Sequence, residues 1–329
     1  MGAQRGQVLV TGGAGFIGSH FVRRLLKADD VAGVTVLDAL TYAGNIKNLS
    51  DAVLSPKLSF VPGNILDKQL VDDLVQAHSS VVHFAAESHV DRSLSNAGAF
   101  LETNVLGTQN LLDAARRYGV SKFVHISTDE VYGPLESGRA DEDATLRPTV
   151  PYAASKAASD MVALSHFHTF GVPVCVTRSS NNYGPRQHAE KIIPLFVTRL
   201  LKGHALTLHG QGQHVRNWLH VEDNCQAVEL VLRDGVPGEV YNIGGGTDLT
   251  SKDLTAVLLR IFGADWDCVQ YIPDRTSNDI RYAMDWSKVA ALGFRPARDL
   301  EEGLAETVDW YRSNPDRWAP LPRKEMQHA

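Results

Sequence analysis

Val8-Leu9-Val10-Thr11-Gly12-Gly13-Ala14-Gly15-Phe16-Ile17-Gly18 decides how the rest of the chain is read. A β-rich apolar run enters closely spaced glycines, and an amphipathic helical stretch, 16–27, leaves them. Glycines at such a turn allow positive φ and let a pyrophosphate approach the backbone amides at the helix N-terminus. Gly13, Gly15 and Gly18 satisfy G-x-G-x-x-G, and Gly12, Gly15 and Gly18 give an alternative spacing. Glycines also collect in ordinary turns, so the context carries the reading. A strand precedes, a helix follows, and Asp38 closes the next β-rich run about twenty residues on. A carboxylate there accepts hydrogen bonds from ribose hydroxyls and repels a 2′-phosphate, which favours NAD over NADP as cofactor.

The same alternation continues outward. Further β-rich runs occupy 34–38, 58–61, 80–84, 122–127 and 173–178, with helical stretches at 68–77, 103–117 and 152–170. Several of the runs are continuously apolar, as strands buried on both faces are. The pattern predicts an α/β fold, a Rossmann-type doubly wound parallel sheet over residues 1–180. After Arg178 the texture changes. Residues 181–186 read as a loop, and helical sequence follows near 191–202 and 223–232, with β-rich runs near 204–212 and 239–243. We expect a smaller C-terminal α/β substrate domain over 181–329, part of it returning to the main sheet.

Composition narrows the function classes. The chain has 329 residues and a formal net charge of −6, against the basic excess of a nucleic-acid surface. No apolar run approaches the roughly 20 residues that span a bilayer, so no membrane partner is expected. Three cysteines, Cys175, Cys225 and Cys268, lack metal-ligand spacing and cannot all pair, which fits a cytoplasmic location. Thirteen histidines include His166-Phe167-His168, but i and i+2 on a helix point to different faces and no HExxH is present. No metal site is expected.

Two constellations carry chemistry. Tyr152 and Lys156 stand four apart in helical sequence and share a face. A neighbouring ammonium and a positive nicotinamide ring would stabilise the phenolate and make it a usable base near neutrality. Upstream, Ser127-Thr128-Asp129-Glu130-Val131-Tyr132-Gly133 sets an acid and a base side by side between a strand and a loop. An enzyme that only moves hydride has no use for that dyad, whereas one that breaks a second bond, such as a C–OH bond, does. The two carboxyls need pKa values pushed apart, which mutual repulsion and burial can do.

With these residues in view, the chain resembles the extended short-chain dehydrogenase/reductases and, among them, the dTDP-glucose 4,6-dehydratases. The likeness runs through TGGAGFIGS (11–19), FAAESHVDRS (84–93), ETNVLGT (102–108), STDEVYG (127–133), PYAASKAASD (151–160), SNNYGP (180–185), VRNWLHVED (215–223), YNIGG (241–245) and PDRTSNDIRYA (273–283). The resemblance implies NAD-dependent dehydration of dTDP-glucose, with C4 oxidation, loss of water across C5 and C6, and reduction at C6. Rival readings are the same reaction on UDP-glucose, a UDP-sugar 4-epimerase with no duty for Asp129 and Glu130, and a non-catalytic NAD sensor. By the same resemblance Thr128, Asp129, Glu130, Tyr152 and Lys156 are catalytic. Gly12, Gly15, Phe16, Ile17, Gly18, Asp38, Ile65, Ala85, Ser88 and Asn182 line the NAD site. Ser88, Thr103, Thr128, Asn181, Lys191, Arg216, Asn242 and Arg275 face the nucleotide sugar. Departures from the family's usual residues at Ala39, Asn64, 207–209, Asn217 and 277–278 lie outside the acid, base and hydride machinery and bear on the nucleotide. The family is usually dimeric, and Ala153, Ala154, Ala157 and Ala158 would let helices approach closely, so a homodimer is expected.

Overall fold

A computed structural model describes residues 5–274 and 279–318. The elements run β1 (Arg5–Thr11), α1 (Phe16–Leu26), β2 (Val31–Asp38), β3 (Leu58–Pro62), α2 (Lys68–Gln76), β4 (Ser80–His83), α3 (Val90–Ser95), α4 (Ala97–Leu101), α5 (Thr108–Tyr118), β5 (Lys122–Thr128), α6 (Pro151–Phe170), β6 (Val174–Ser179) and β7 (Asn181–Tyr183). The second half supplies α7 (Ile192–Leu201), β8 (Leu206–His209), β9 (Val215–His220), α8 (Val221–Asp234), β10 (Val240–Ile243), β11 (Thr247–Thr250), α9 (Ser251–Phe262), β12 (Val269–Ile272), α10 (Ser287–Ala291) and α11 (Leu300–Ser313).

Seven parallel strands in the order β10-β6-β5-β4-β1-β2-β3 form the main sheet. β1, β4 and β6 are the apolar runs seen in the sequence, and both of their faces are covered. One face carries α1 and α8 over a core that includes Phe21, Val22, Val228 and Val231. The other carries α2, α5 and α6 over Val71, Leu111, Leu112 and Ala163. Strand order reverses beside β1, because β2 lies on one side of it and β4 on the other. Open α/β sheets bind ligands at such a switch point, outside the carboxyl ends of the strands.

The second half is divided between two places. β10 returns to the main sheet beside β6, with Val240 opposite Val176 and Ile243 opposite Ser179. α8 and α10 pack against the main sheet with it, and a smaller lobe holds a β11-β9-β7 sheet, a β12-β8 pair, and a separate core of α7, α9 and α11 around Phe196, Leu258 and Leu304. Two segments differ from the expectations above. Asn181–Tyr183, read as loop, pairs in parallel with β9. The stretch before α5 is a π-helical turn, Glu102–Gly107, rather than the start of a regular helix. Within it Asn104 accepts from the Glu87 amide at 2.9 Å and donates to the Glu87 carbonyl at 3.0 Å and to Ser155 Oγ at 2.8 Å. Single π turns of this kind frequently mark functional sites. Among the described residues no helix is long and apolar enough to cross a membrane.

Candidate active site

A cavity of about 330 Å³ opens at the carboxyl ends of the main-sheet strands. Its floor begins at the glycine turn. Gly12 has φ +70°, and a Cβ there would stand 2.5 Å from the Ala85 amide nitrogen. A Cβ on Gly18 would stand 2.3 Å from the Gly12 carbonyl oxygen. Both positions therefore require glycine. Gly15 is the N-cap of α1 and offers no side chain to its first turn, which also lacks an acidic residue. The amides of that turn are left for an external anion.

Asp38 ends β2 at the cavity wall. Its carboxylate accepts from the Ala14 amide at 2.9 Å and the Leu40 amide at 2.8 Å. Burial raises its pKa, and these two hydrogen bonds oppose the rise. A glycine cradle at a helix N-terminus with a carboxylate at the end of the next strand fits a dinucleotide. Gly12, Gly15, Phe16, Ile17, Gly18, Asp38, Ile65, Ala85, Ser88, Tyr152, Lys156 and Asn182 all line the cavity.

The far side of the same cavity holds the acid–base groups. β5 delivers Thr128, and a short 3₁₀ turn, Asp129–Tyr132, follows; Thr128 Oγ1 caps it by accepting from the Glu130 amide at 3.3 Å. Asp129 is 3% exposed, and its Oδ2 is buried with no hydrogen-bond partner. Burial first and the Glu130 carboxylate second push the Asp129 pKa up to about 7, with Arg216 and the Thr128 hydroxyl opposing. Burial raises Glu130 too, but Lys191 and Arg216 draw it back while Asp279 pushes it up. Both carboxyls are thus raised, Asp129 to about 7.

α6 enters the cavity at its N-terminal turn and carries Tyr152 and Lys156 on one face. Lys156 Nζ donates to the Ile126 carbonyl at 2.7 Å, and burial lowers its pKa to about 8 against the pull of Asp160. Burial and then the Glu130 carboxylate hold Tyr152 above the ordinary tyrosine value, with a Thr128 hydrogen bond opposing.

The substrate-facing set is only partly gathered. Ser88, Thr103, Thr128, Asn181 and Lys191 line the cavity, and Lys191 Nζ donates to the Ser88 carbonyl at 3.0 Å. Arg216 stands outside the lining with its guanidinium 4.5 Å from the Tyr282 ring centroid, yet its charge acts on both Asp129 and Glu130. Asn242 does not join the site. It is 0% exposed, and its side chain is taken up by Tyr132, Ala140 and Asp285. Arg275, with 276–278, lies outside the described residues.

Two acidic wall residues escaped the sequence reading. Glu87, half-buried, has its pKa raised by burial, and Glu190 faces His89 at 3.5 Å and Arg92 at 3.8 Å. Glu87 within 84–93 and Glu190 beside Lys191 were visible as acids next to expected site residues. His166 packs internally, with Nδ1 2.9 Å from the Val162 carbonyl and Nε2 3.3 Å from Asp113. Among the described residues no group of three or more His, Cys, Asp or Glu is placed to hold a metal.

A family model described as GDP-mannose 4,6 dehydratase matches residues 9–307. The chain belongs to that family. Within this 4,6-dehydratase group, the dTDP-glucose 4,6-dehydratase of Streptomyces antibioticus is 55% identical over 96% of each chain. The fold superposes with a TM-score of 0.93 on the dTDP-glucose 4,6-dehydratase DesIV of Streptomyces venezuelae, solved with NAD and dTDP bound; the two are 51% identical over 96% of this chain and all of that one. A UDP-glucose 4-epimerase of Thermus thermophilus, solved with NAD, reaches 0.85 at 35% identity over 93% of this chain and 99% of its own. The fold is therefore shared by proteins named for different reactions.

Proposed function

We propose that this 4,6-dehydratase converts dTDP-glucose to dTDP-4-keto-6-deoxyglucose, using NAD held at the glycine turn and Asp38. The observation that carries the reading is the acid–base dyad, with Asp129 pushed up to about 7 beside Glu130 and the Lys191 and Arg216 charges acting on it, in one cavity with Tyr152. NAD, when bound, supplies the reversible redox chemistry that oxidises C4 and later reduces C6, together with a positive charge in its oxidised form.

The chain's own groups do the rest. Tyr152 takes the C4 hydroxyl proton, and the Thr128 hydroxyl hydrogen-bonds the same oxygen. A ketone at C4 acidifies the C5 hydrogen, which Glu130 removes. Asp129 hands its proton to the C6 oxygen, which leaves as water and gives a C5–C6 double bond conjugated with the ketone. After reduction at C6, the proton on Glu130 returns to C5. General acid and base groups of this kind contribute roughly 10²–10⁴ each.

The smaller lobe, residues 181–329 apart from the segment in the main sheet, serves as the nucleotide-sugar grip in this reading, with Arg216 and Arg275 as phosphate partners. We assign the protein to the cytoplasm, where Cys175, Cys225 and Cys268, all free thiols, stay reduced. A homodimer is proposed through the face where Leu101, Leu106 and Met161 are each more than half exposed.

The test is incubation of the purified protein, without added cofactor, with dTDP-glucose, UDP-glucose and UDP-galactose separately, followed by mass spectrometry. Loss of one water from dTDP-glucose supports the reading, and preferential loss from UDP-glucose moves the nucleotide assignment. An isomer of unchanged mass makes the protein an epimerase and removes the duty given to Asp129 and Glu130.

A further inference from the structure

Behind the cavity runs a file of buried polar side chains that none of these steps uses. Asp160, 0% exposed and one turn beyond Lys156 on α6, accepts from Arg178 Nε at 2.9 Å. Arg178, buried on β6, donates through Nη1 to the Tyr132 hydroxyl at 2.8 Å and the Glu142 carbonyl at 3.3 Å, and its guanidinium lies 4.9 Å from the Tyr132 ring centroid. Tyr132 in turn donates to Asn242 Oδ1 at 2.7 Å. Asn242 anchors the end of the file through the Ala140 carbonyl at 3.1 Å and the Asp285 carbonyl at 2.9 Å.

A buried ion pair is no cheap way to add stability, since an apolar replacement of the same volume often does as well. A buried polar network does, however, admit one arrangement and penalise others. What this one arranges is specific. Tyr132 is the last residue of the turn Asp129–Tyr132, whose other end is fixed in β5 by Thr128. The exit is also constrained, because Gly133 has φ +72° and a Cβ on it would stand 2.2 Å from the Arg147 carbonyl oxygen. Asp160 sits on the helix that carries Tyr152 and Lys156. The file therefore ties the turn bearing the acid and base to the helix bearing the redox pair.

We propose that Asp160, Arg178 and Tyr132 form a positioning relay that holds the Asp129–Glu130 turn in register with α6, so that a substrate oxidised at C4 meets its acid and base without readjustment. The proposal rests on the dehydratase reading. These residues touch no substrate and act only through the groups they place. Without the Tyr132 hydroxyl the C4 oxidation proceeds and the elimination lags.

The test compares wild type, Tyr132→Phe and Arg178→Lys in single turnovers with dTDP-glucose. C4 oxidation is read from the absorbance of reduced nicotinamide, and water loss from quenched product mass. Misplacing a catalytic group by about 1 Å can cost on the order of 10²-fold. In Tyr132→Phe we expect oxidation within about threefold of wild type and water loss slowed roughly 10- to 100-fold, so reduced nicotinamide accumulates. Amide exchange over 129–133 rises while α6 stays protected, a change that general loss of stability does not produce. Arg178→Lys keeps the charge but loses the fork that spans Asp160 and Tyr132; it gives the same split and carries the test if Tyr132→Phe fails to fold. Equal slowing of both stages, or none, in a folded variant overturns the relay. A wild type that leaves dTDP-glucose unchanged overturns the dehydratase reading itself, and the relay falls with the reaction that defines it.

Discussion

Replacing Asp129 by Asn stabilises the folded protein, and does so more at high pH than at low. Burial, foremost, pushes the wild-type carboxyl up to about 7 in the folded state, against 3.8 for a free, solvated side chain. Below the unfolded value both states hold the proton and the group contributes nothing. As pH rises toward the folded value, the unfolded chain releases its proton first, so stability falls across that window and stays lower above it. The full gap corresponds to about 4 kcal/mol at roughly 1.4 kcal/mol per pH unit. With unfolding entropies of roughly 2 cal/mol/K per residue, that is a melting shift of about 6 °C for a chain of this size, less whatever Glu130 absorbs as the partner carboxylate. The assay is a series of thermal melts of both proteins, free of substrate, from about pH 5 to about pH 8.5. Asp129→Asn melts higher throughout, with the larger gain at the alkaline end, while losing roughly 10²–10⁴ in water elimination. A melting difference that is flat in pH, or that grows toward acid, refutes the account of Asp129 as a buried acid poised to give its proton.

Three further outcomes follow from the geometry. Gly12→Ala forces a side chain against Ala85 at positive φ; it costs roughly 2–4 kcal/mol and removes the melting-temperature rise that added NAD gives the wild type, as differential scanning fluorimetry checks. Lys156 is an ammonium below about 8 and a neutral amine above it, so the rate of C4 oxidation falls as pH passes about 8; Asp160→Asn removes the carboxylate that raises this value and moves the alkaline limb of the pH–rate profile downward. Met161→Glu, placed where the side chain is 59% exposed, shifts the protein from dimer to monomer in multi-angle light scattering at micromolar concentration; a wild type that is already monomeric removes the proposed interface.

The cofactor side of the cavity was legible because its grammar is local. A strand, a glycine turn, a helix and an acid at the next strand end follow one another within about forty residues, and every residue expected to hold NAD lines the cavity. The rest depended on contacts that sequence neighbours do not carry. Asn242 stands in a motif that invites a substrate role, but its depth comes from β10 crossing back beside β6, and its amide is spent on Tyr132, Ala140 and Asp285. β7 is three residues long and pairs with β9, 37 positions on, so it carries no periodicity to read. The π turn at Glu102–Gly107 contains Asn104, whose contacts with the backbone of Glu87 lie outside its own stretch of sequence. The Tyr152 phenol illustrates the same point for electrostatics. Its spacing from Lys156 is visible in the sequence, whereas the burial and the Glu130 carboxylate that raise its pKa belong to the folded molecule.

The return of β10 to the edge of the main sheet sets rules for exchanging parts between relatives. A chain cut after β6 would lose the partner of that strand and, with α8, the cover over β5 and β6, leaving an open parallel edge prone to pairing with other chains. The portable unit is therefore not the second half of the sequence. It is two separate segments, one on each side of the α8–β10 segment, that supply the smaller lobe, with α10 left packed against β10. A chimera that swaps them and keeps residues 221–243 with the first half preserves the sheet, but it also exchanges Asn182, Lys191 and Arg216, so the wall beside the dyad has to be matched to the new lobe.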